Sequence, residues 1–150
     1  MLRTVKLELV LDDRQKHSLL STMEEYTRAF DYAASWGFRH HECNKLRLQY
    51  AIYYEMRAAI PRLGASLVQS AKDTACEALK RCKMSAVPRR KPHAAVRFPW
   101  KEAKVHFQSG RVSMYSVDGR VHAPVRLYDY LQRYGGWRCK VSILIWDKVK

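Results

Sequence analysis

The sequence predicts an α+β fold in which a small β-barrel carries an inserted lobe of three helices. Residues 104–126 alternate between apolar and polar in three short runs, which is typical of a β-meander. Residues 2–11 alternate in the same way, and between these two regions the apolar period lengthens to that of α-helices. Because the first strand is separated from its partners by the helices, it has to pair at long range. We therefore expect the sheet to close around the insertion as a small barrel.

The first strand and the first helix are joined by a capping signal. One face of residues 2–11 is apolar and predicts a half-buried strand, with Val5, Leu7, Leu9 and Leu11. Asp12-Asp13 follows, and Gln15, three residues after Asp12, matches a capping box. The helical period then continues to about Ser35, and we expect residues 36–38 to end the helix.

Two more helices complete the predicted lobe. The second runs from Lys45 to Ala59, with Asn44 as its cap and Pro61 preventing much continuation. Its predicted inward face consists of Leu46, Tyr50, Tyr53, Met56 and Ile60. The third starts near residues 64–66 and presents a stripe of small residues that lets another helix come close, namely Leu67, Ala71, Ala75, Ala78 and Cys82. The residues off this stripe, expected to face outward, are Gln69, Lys72, Lys80 and Lys83.

A basic, proline-rich segment at residues 84–95 is predicted to link the lobe to the barrel. It contains prolines at 88 and 92 and the cluster Arg89-Arg90-Lys91, so it is stiff and unlike a helix. We expect the three cations to lie together at the surface, or else to be only a solvated charge run. The predicted barrel comprises residues 1–11 and 96–150, and the inserted lobe residues 12–83.

The meander is predicted to turn at Asp118-Gly119. Asp-Gly favours a type I′ turn, which would place Tyr115 opposite His122 and Met114 opposite Ala123. The apolar face would then consist of Val112, Met114, Val121, Ala123 and Val125. The polar face would consist of Arg111, Ser113, Tyr115, Arg120 and His122. After the meander we expect a short helix over residues 128–134 and a final, largely buried strand over residues 137–146.

The charge of the chain favours a polyanionic partner, most commonly nucleic acid. Twenty-eight Lys and Arg against fourteen Asp and Glu give a net charge of +14. The four cysteines form no C-x-x-C pair, no secretory signal core follows Met1, and the apolar run at residues 143–146 is too short to span a bilayer. We therefore expect reduced thiols, a cytoplasmic location and no contact with a membrane.

The sequence offers no convincing catalytic or metal-binding constellation. The carboxylates do not suggest the three or more converging acids that two-metal phosphodiester cleavage needs, and no P-loop or nucleophile elbow is present. His40, His41 and Cys43 could suggest zinc, but no second cluster lies at ligand spacing, so a polar loop is the preferred interpretation. We expect no catalysis, metal or cofactor in this chain.

Several segments, in order, resemble TnpB, the OrfB-type proteins of small insertion sequences. These are transposon-encoded, RNA-guided DNA nucleases related to type V CRISPR effectors. The segments that carry the resemblance are VKLELVLDDRQ, CNKLRLQYAIYYEMR, SLVQSAKDTACEALK, KPHAAVRF and VSMYSVDGRVHAPV. Together they extend over nearly all 150 residues, and no single one of them is diagnostic.

The resemblance implies the N-terminal half of such a protein. There a wedge domain, an OB-like β-barrel, is interrupted by a helical recognition lobe, and the nuclease domain with its zinc-binding cysteines follows. The chain thus looks like a nuclease-less portion that holds a guide RNA and recognises a motif beside a double-stranded DNA target. A nuclease domain in the full-length protein would be a further partner, and a DNA-bound protein would associate with the nucleoid.

The same resemblance, together with charge, supplies the candidate binding residues. The DNA-reading candidates are Lys45, Gln49, Ser66, Gln69 and Lys72. Glutamine can pair bidentately with adenine, and lysine can reach guanine or phosphate; the alternative is that both glutamines are simply exposed helix residues. The RNA-binding candidates are Lys80, Lys83, Arg89, Arg90, Lys91, Arg97, Arg111, Tyr115, Arg120 and His122, with Tyr115 and His122 available for stacking on bases or riboses.

A rival interpretation belongs to another class of function. The chain could be a protein-interaction or regulatory module whose charge serves solubility and whose meander face binds a polypeptide. Only nucleic-acid binding predicts a steep dependence of affinity on salt, so a salt titration separates the two.

Overall fold

The fold is mixed α+β, as the sequence predicts. The computed structural model describes residues 2–126 and 129–146. Within them lie helices α1 (Asp13–Arg39), α2 (Lys45–Ala59) and α3 (Ala65–Arg81) and a 3₁₀ turn at Asp129–Tyr134. The strands of the same residues are β1 (Glu8–Leu9), β2 (Val96–Pro99), β3 (Ala103–His106), β4 (Arg111–Ser116), β5 (Gly119–Arg126) and β6 (Val141–Leu144).

The described strands form two antiparallel sheets that do not close into a barrel. One sheet has the order β1-β5-β4-β3, and the other consists of β2 and β6 alone. The expectation of a closed barrel is therefore not met in this part of the chain. Strand β2 does not pair with any strand of the larger sheet. It contacts α3 instead, where Ser70 Oγ donates to the carbonyl of Arg97 at 2.7 Å.

The long-range pairing of the first strand is confirmed, but the strand is short. Glu8 pairs with Arg126 and Leu9 with Val125, across the whole helical insertion. Leu7, Leu9 and Leu11 are half-buried against the core, so the predicted alternation holds although only two residues have regular strand geometry.

The β4–β5 hairpin has the predicted faces and a different register. Tyr115 pairs with Arg120 and Ser113 with His122, so the predicted pairing of Tyr115 with His122 is wrong. The loop consists of Val117 and Asp118 rather than Asp118-Gly119. Gly119 follows it with φ +104°, while neither Val117 nor Asp118 has a positive φ, which excludes the type I′ turn. The error in register is two residues in total, and because side chains alternate with a period of two, both faces remain as predicted.

Helix α1 begins as predicted and ends later. Asp12 and Gln15 form a reciprocal capping box. The helix continues through residues 36–38 to Arg39. Gly37 does not end it, and lies where the helix closely approaches Glu42 and Leu79. A Cβ at Gly37 would lie 2.6 Å from the carbonyl oxygen of Glu42 and 2.7 Å from Leu79 Cδ1. The glycine therefore serves packing rather than helix termination.

Helix α2 has the predicted limits and cap, and its predicted inward face is correct for Met56 and Ile60 but wrong for Leu46 and Tyr50. The buried residues are Leu48, Ile52 and Met56, followed by Ile60. Leu46, Tyr50 and Tyr54 are 61%, 81% and 83% exposed. The helix carries two apolar stripes, and α1 and α3 cover only one of them.

The core is continuous between the helices and the sheets. Helix α3 packs against α1 and α2, and its Ala71 and Ala75 are fully buried at these contacts, as their small size predicts. The same core includes Val96 and Phe98 of β2 and the inward residues of β4 and β5. Strand β6 is shorter than predicted and not largely buried, since Val141 and Ile143 are more than half exposed.

Two further findings concern the chain as a whole. The linker at residues 84–95 has no helix or strand, as predicted, and the short helix is a 3₁₀ turn that begins at Asp129, with residue 128 outside the described residues. None of the described helices is both long and apolar enough to cross a bilayer.

Replacing Gly37 by Ala tests the close approach. Alanine favours helix by about 1 kcal/mol over glycine, but the added methyl would press on a backbone oxygen that cannot move freely. We expect a net loss of about 1–2 kcal/mol in the free energy of unfolding, measured by urea denaturation. Gly136→Ala is the matched control, because nothing lies within 4 Å of a Cβ there. Equal stability of the two variants would contradict the tight packing at Gly37.

Candidate nucleic-acid interface

The outward face of the larger sheet carries a group of basic and aromatic side chains. Arg111, Tyr115, Arg120 and His122, all predicted from the sequence, lie on it. Residues that pair across strands share a face, so Lys104 and His106 of β3, which pair with Ser113 and Arg111, belong to it as well. No carboxylate occupies an outward position within β3, β4 or β5. We call this surface the sheet face, defined by Lys104, His106, Arg111, Tyr115, Arg120 and His122.

Tyr115 forms a platform at the centre of the sheet face. The Arg120 guanidinium carbon lies 4.2 Å from the centre of its ring and the side chain also donates to Ser113 Oγ. Tyr115 is 41% exposed, so part of the ring remains open to a ligand. A cation stacked on an aromatic ring is a common support for nucleobases.

The sequence interpretation missed Lys104 and His106. The sequence does contain a signal for both residues, because they stand at polar positions in the apolar-polar alternation that predicts the meander.

The linker cations do not form the surface cluster that the sequence predicts. Arg90 turns inward: its guanidinium carbon lies 4.9 Å from the centre of the Tyr26 ring and 5.3 Å from that of Phe30. It donates to the carbonyls of Ala94 and Ala95, and burial lowers the pKa of this guanidinium below its ordinary value. Arg90 therefore fastens the linker to α1.

The other cations near the linker remain accessible. Arg89 and Lys91 are exposed, as are Lys80 and Lys83 at the end of α3. Arg97 of β2 is exposed but paired with Glu77, at 3.3 Å. Thr27 Oγ donates to the carbonyls of Lys91 and Pro92, so α1 also holds the linker just after Arg90.

Three of the predicted DNA-reading residues line one open cleft of about 270 Å³. Lys45 reaches it from α2, and Ser66 and Gln69 from α3. Arg97 and Phe98 of β2 close one side, and Val141 of β6 contributes an apolar edge. Gln69 is exposed, while Ser66 is half-buried. Periodicity alone could not reveal this cleft, because β2 was not predicted as a strand.

Glu77 balances the charge of this cleft. Lys45 Nζ lies 2.9 Å from Glu77 Oε1 and Arg97 lies 3.3 Å from the same oxygen. The hydrogen bond from Lys45, and then that from Arg97, lowers the pKa of the Glu77 carboxyl, and the same bond raises the pKa of Lys45. The cleft is thus less positive than its lysine and arginine content suggests.

Lys72 and Gln49 form a contact beside the cleft. Lys72 was predicted to face outward, but it is only 5% exposed. Its Nζ donates to Gln49 Oε1 at 2.7 Å and to the carbonyl of Lys45 at 3.1 Å, and lies 3.2 Å from Asp73. The prediction of an outward Lys72 is therefore wrong, because Gln49 and the Lys45 carbonyl on α2 accept its hydrogen bonds and Asp73 on its own helix supplies the counter-charge.

The loop at His40, His41 and Cys43 matches the preferred interpretation of a polar loop. His40 stacks on Trp36, with ring centres 3.9 Å apart, and its Nδ1 lies 2.9 Å from the Trp36 carbonyl. In the described part of the chain no group of three or more His, Cys, Asp or Glu side chains could hold a metal ion.

No family model matches the chain, and no curated protein matches it.

Replacing Arg90 by Ala should destabilise the protein. The change removes two charge-assisted hydrogen bonds and the stacking on Tyr26 and Phe30, so we expect the free energy of unfolding to fall by about 2 kcal/mol. Arg89→Ala, the loss of a neighbouring exposed cation, should change it by less than about 0.5 kcal/mol. Both are measured by denaturant unfolding, and an equal effect of the two would contradict the inward placement of Arg90.

Replacing Glu77 by Gln should have a pH-dependent effect. The pKa of Glu77 is lowered in the folded protein, so its contribution to stability is present above the unfolded-state pKa and disappears as pH falls through the folded-state pKa. We expect Glu77→Gln to lower stability by about 1 kcal/mol or less near pH 7, since the pair is partly exposed. The difference from wild type should shrink between about pH 5 and pH 3, measured by thermal unfolding. Glu102→Gln serves as control, and a pH-independent difference for Glu77→Gln would contradict the ion pair.

Proposed function

We propose that this chain is the nucleic-acid-binding portion of a TnpB-like RNA-guided transposon nuclease. In this proposal the sheet face holds a guide RNA, and the region around Gln49 and the cleft recognises a DNA motif beside the target. The observation that carries it is the sheet face itself, where an open aromatic ring lies among cations and no carboxylate occupies an outward position of β3, β4 or β5. The outward Glu8 of β1, at the edge of the same sheet, pairs with Arg126 at 3.8 Å. The net charge of +14 agrees with a polyanionic ligand.

The proposed mechanism of RNA binding is neutralisation combined with stacking. Lys104 and Arg111 bind phosphates, and each contact releases counterions that had condensed on the RNA. Tyr115 stacks on a base from the side that Arg120 does not cover. His122, on the same face, adds a second planar ring for a base or ribose.

The arrangement of the chain supports the TnpB-like part of the proposal. The helices are inserted between β1 and its partner β5, which is the arrangement of a recognition lobe inserted into a wedge domain. We propose that the two sheets correspond to the OB-like barrel of that family. The chain would act by binding, with cleavage carried out by a nuclease domain of the full-length protein in the cytoplasm or on the nucleoid.

A second candidate function rests on the uncovered stripe of α2. Leu46, Tyr50 and Tyr54 present a contiguous apolar surface, and such surfaces are typical of protein-binding helices. A protein-interaction module would use this stripe and would leave the sheet face without a nucleic-acid ligand.

Removing two cations from the sheet face should weaken the salt dependence of RNA binding. The purified chain is titrated with a single-stranded RNA of mixed sequence at several salt concentrations. The variant Lys104→Ala with Arg111→Ala should reduce the slope of log K against log salt by about 1.4, at about 0.7 per lost phosphate contact. Tyr115→Ala should lower affinity by about 1–3 kcal/mol with little change of slope, because stacking releases no counterions.

The control removes the same charge elsewhere. The double variant Arg14→Ala with Arg28→Ala removes two exposed cations of α1 that do not belong to the sheet face, and it should retain the wild-type slope. If both double variants change the slope equally, binding is non-specific attraction to a basic protein. If wild type shows no RNA binding that salt weakens, the proposed function fails and the protein-interaction candidate is favoured.

A further inference from the structure

Lys72 is a buried cation that donates two hydrogen bonds and has a carboxylate beside it. An ammonium group has three N–H donors and no acceptor. The three oxygens around Lys72 Nζ are Gln49 Oε1 at 2.7 Å, the Lys45 carbonyl at 3.1 Å and Asp73 Oδ1 at 3.2 Å. Two of these belong to the first turn of α2, so Lys72 ties α3 to the start of that helix. At 5% exposure it has no surface to offer to a ligand.

This environment fixes the orientation of the Gln49 amide. The oxygen and nitrogen of a glutamine amide are close to indistinguishable in shape, so hydrogen-bond partners must decide between them. Lys72 can only donate, so the atom 2.7 Å away has to be the carbonyl oxygen. A flipped amide would place an NH₂ group against an ammonium, donor against donor. The Gln49 NH₂ group is therefore directed away from Lys72, and Gln49 is half-buried rather than enclosed.

We propose that Lys72 is a positioning residue that makes Gln49 read DNA as a hydrogen-bond donor. The proposal rests on the proposed function, in which the region around Gln49 contacts a DNA motif. With its amide held in one orientation, Gln49 presents NH₂ to the major groove. The base edge that it contacts must then offer an acceptor, which purine N7, guanine O6 and thymine O4 provide.

Cytosine is the base that this arrangement rejects. In the major groove cytosine offers only its N4 amino group, a donor, which would oppose the Gln49 NH₂ group. The expectation from sequence was that glutamine selects adenine by a bidentate pair. The contact with Lys72 uses one of the two lone pairs of the amide oxygen and fixes the NH₂ group, so an edge that can only donate is excluded as well.

Lys72 thus has a role that its charge alone does not suggest. A lysine on a DNA-facing helix is ordinarily taken for a phosphate contact. Here the cation acts through Gln49, so its loss should affect the choice of base more than the overall attraction to DNA.

The first experiment selects bound sequences from a pool of randomised DNA duplexes with the purified full chain. Affinity is then measured for the selected duplex and for duplexes with each base pair exchanged. Wild type should disfavour cytosine at one position by about tenfold, the range of a single well-placed base contact. Lys72→Met keeps the length of the side chain and removes the donor. It should bring that discrimination to within about twofold while the mean affinity over the pool changes little.

A second variant distinguishes the role of the Gln49 NH₂ group from that of the amide oxygen. Gln49→Glu keeps an oxygen for Lys72 and removes both N–H donors, so it should lose the preference for acceptor bases by about tenfold. This variant keeps the buried cation paired, so it tests the proposal even if Lys72→Met fails to fold. Folding of each variant is checked by thermal unfolding.

Two matched controls make the same changes of charge elsewhere in the chain. Lys101→Met removes an exposed cation, and Gln108→Glu adds a carboxylate in the loop between β3 and β4. Both should retain the discrimination against cytosine. A general effect of charge on DNA binding would appear in these controls as well as in the test variants.

The possible outcomes distinguish this inference from the function on which it rests. If wild type selects no sequence, DNA reading by this chain fails and the role of Lys72 falls with it. If wild type selects a motif and Lys72→Met keeps the same discrimination, DNA reading stands and the positioning role is overturned. Retention of the preference by Gln49→Glu would mean that Gln49 reads through its oxygen, which also overturns the proposal.

Discussion

The interaction on which the rest of the structure depends is the docking of the β4–β5 hairpin onto the first turns of α1. Gln15, Ser18 and Thr22 lie at spacings of three and four and so share one face of the helix. Thr22 Oγ accepts from the N–H of Val117 at 3.0 Å, Ser18 Oγ donates to Asp118 at 2.8 Å, and Gln15 Nε2 donates to the carbonyl of His122 at 2.9 Å. These bonds join residues roughly a hundred positions apart, and they fix the helical lobe to the sheet. The bond from Ser18 also lowers the pKa of the Asp118 carboxyl, so this carboxylate is favoured in its charged form.

Helix α1 positions both the sheet face and the cleft. The hairpin that α1 holds carries Tyr115 and Arg120 of the sheet face. On the other side, the Tyr26 hydroxyl lies 2.9 Å from Ser70 Oγ, and Ser70 donates to the carbonyl of Arg97 beside the cleft. Helix α1 therefore sets the distance between the surface that we propose for RNA and the region that we propose for DNA. Tyr26 and Ser70 are both buried, so this spacing is independent of surface side chains.

The features that the sequence could predict depend on residues close together in the chain. The features that it could not predict depend on contacts between residues far apart in the chain. The capping box at Asp12 and the limits of α2 followed from neighbouring residues, and the faces of β4 and β5 survived a wrong register because alternation has a period of two. Helix α2 has two apolar stripes, and the sequence does not show which of them packs against α1 and α3. Lys72 and Arg90 were interpreted as surface cations because charge is ordinarily solvated, and only tertiary structure supplied Gln49 for one and Tyr26 for the other. The cleft required β2, whose four residues were too few to stand out.

The sharing of Glu77 between Lys45 and Arg97 has a consequence for association kinetics. Long-range steering depends on uncompensated charge, and it extends about 8–10 Å at physiological ionic strength. At the cleft the carboxylate cancels much of that field. Lys104 and Arg111 have no carboxylate beside them on β3, β4 or β5, and the carboxylate of Glu8 at the edge of the sheet pairs with Arg126 instead. A polyanion diffusing toward the protein is therefore drawn first to the sheet. In the proposed function, side chains on the sheet would govern the rate of encounter, while those around the cleft would govern how long a correctly matched ligand stays.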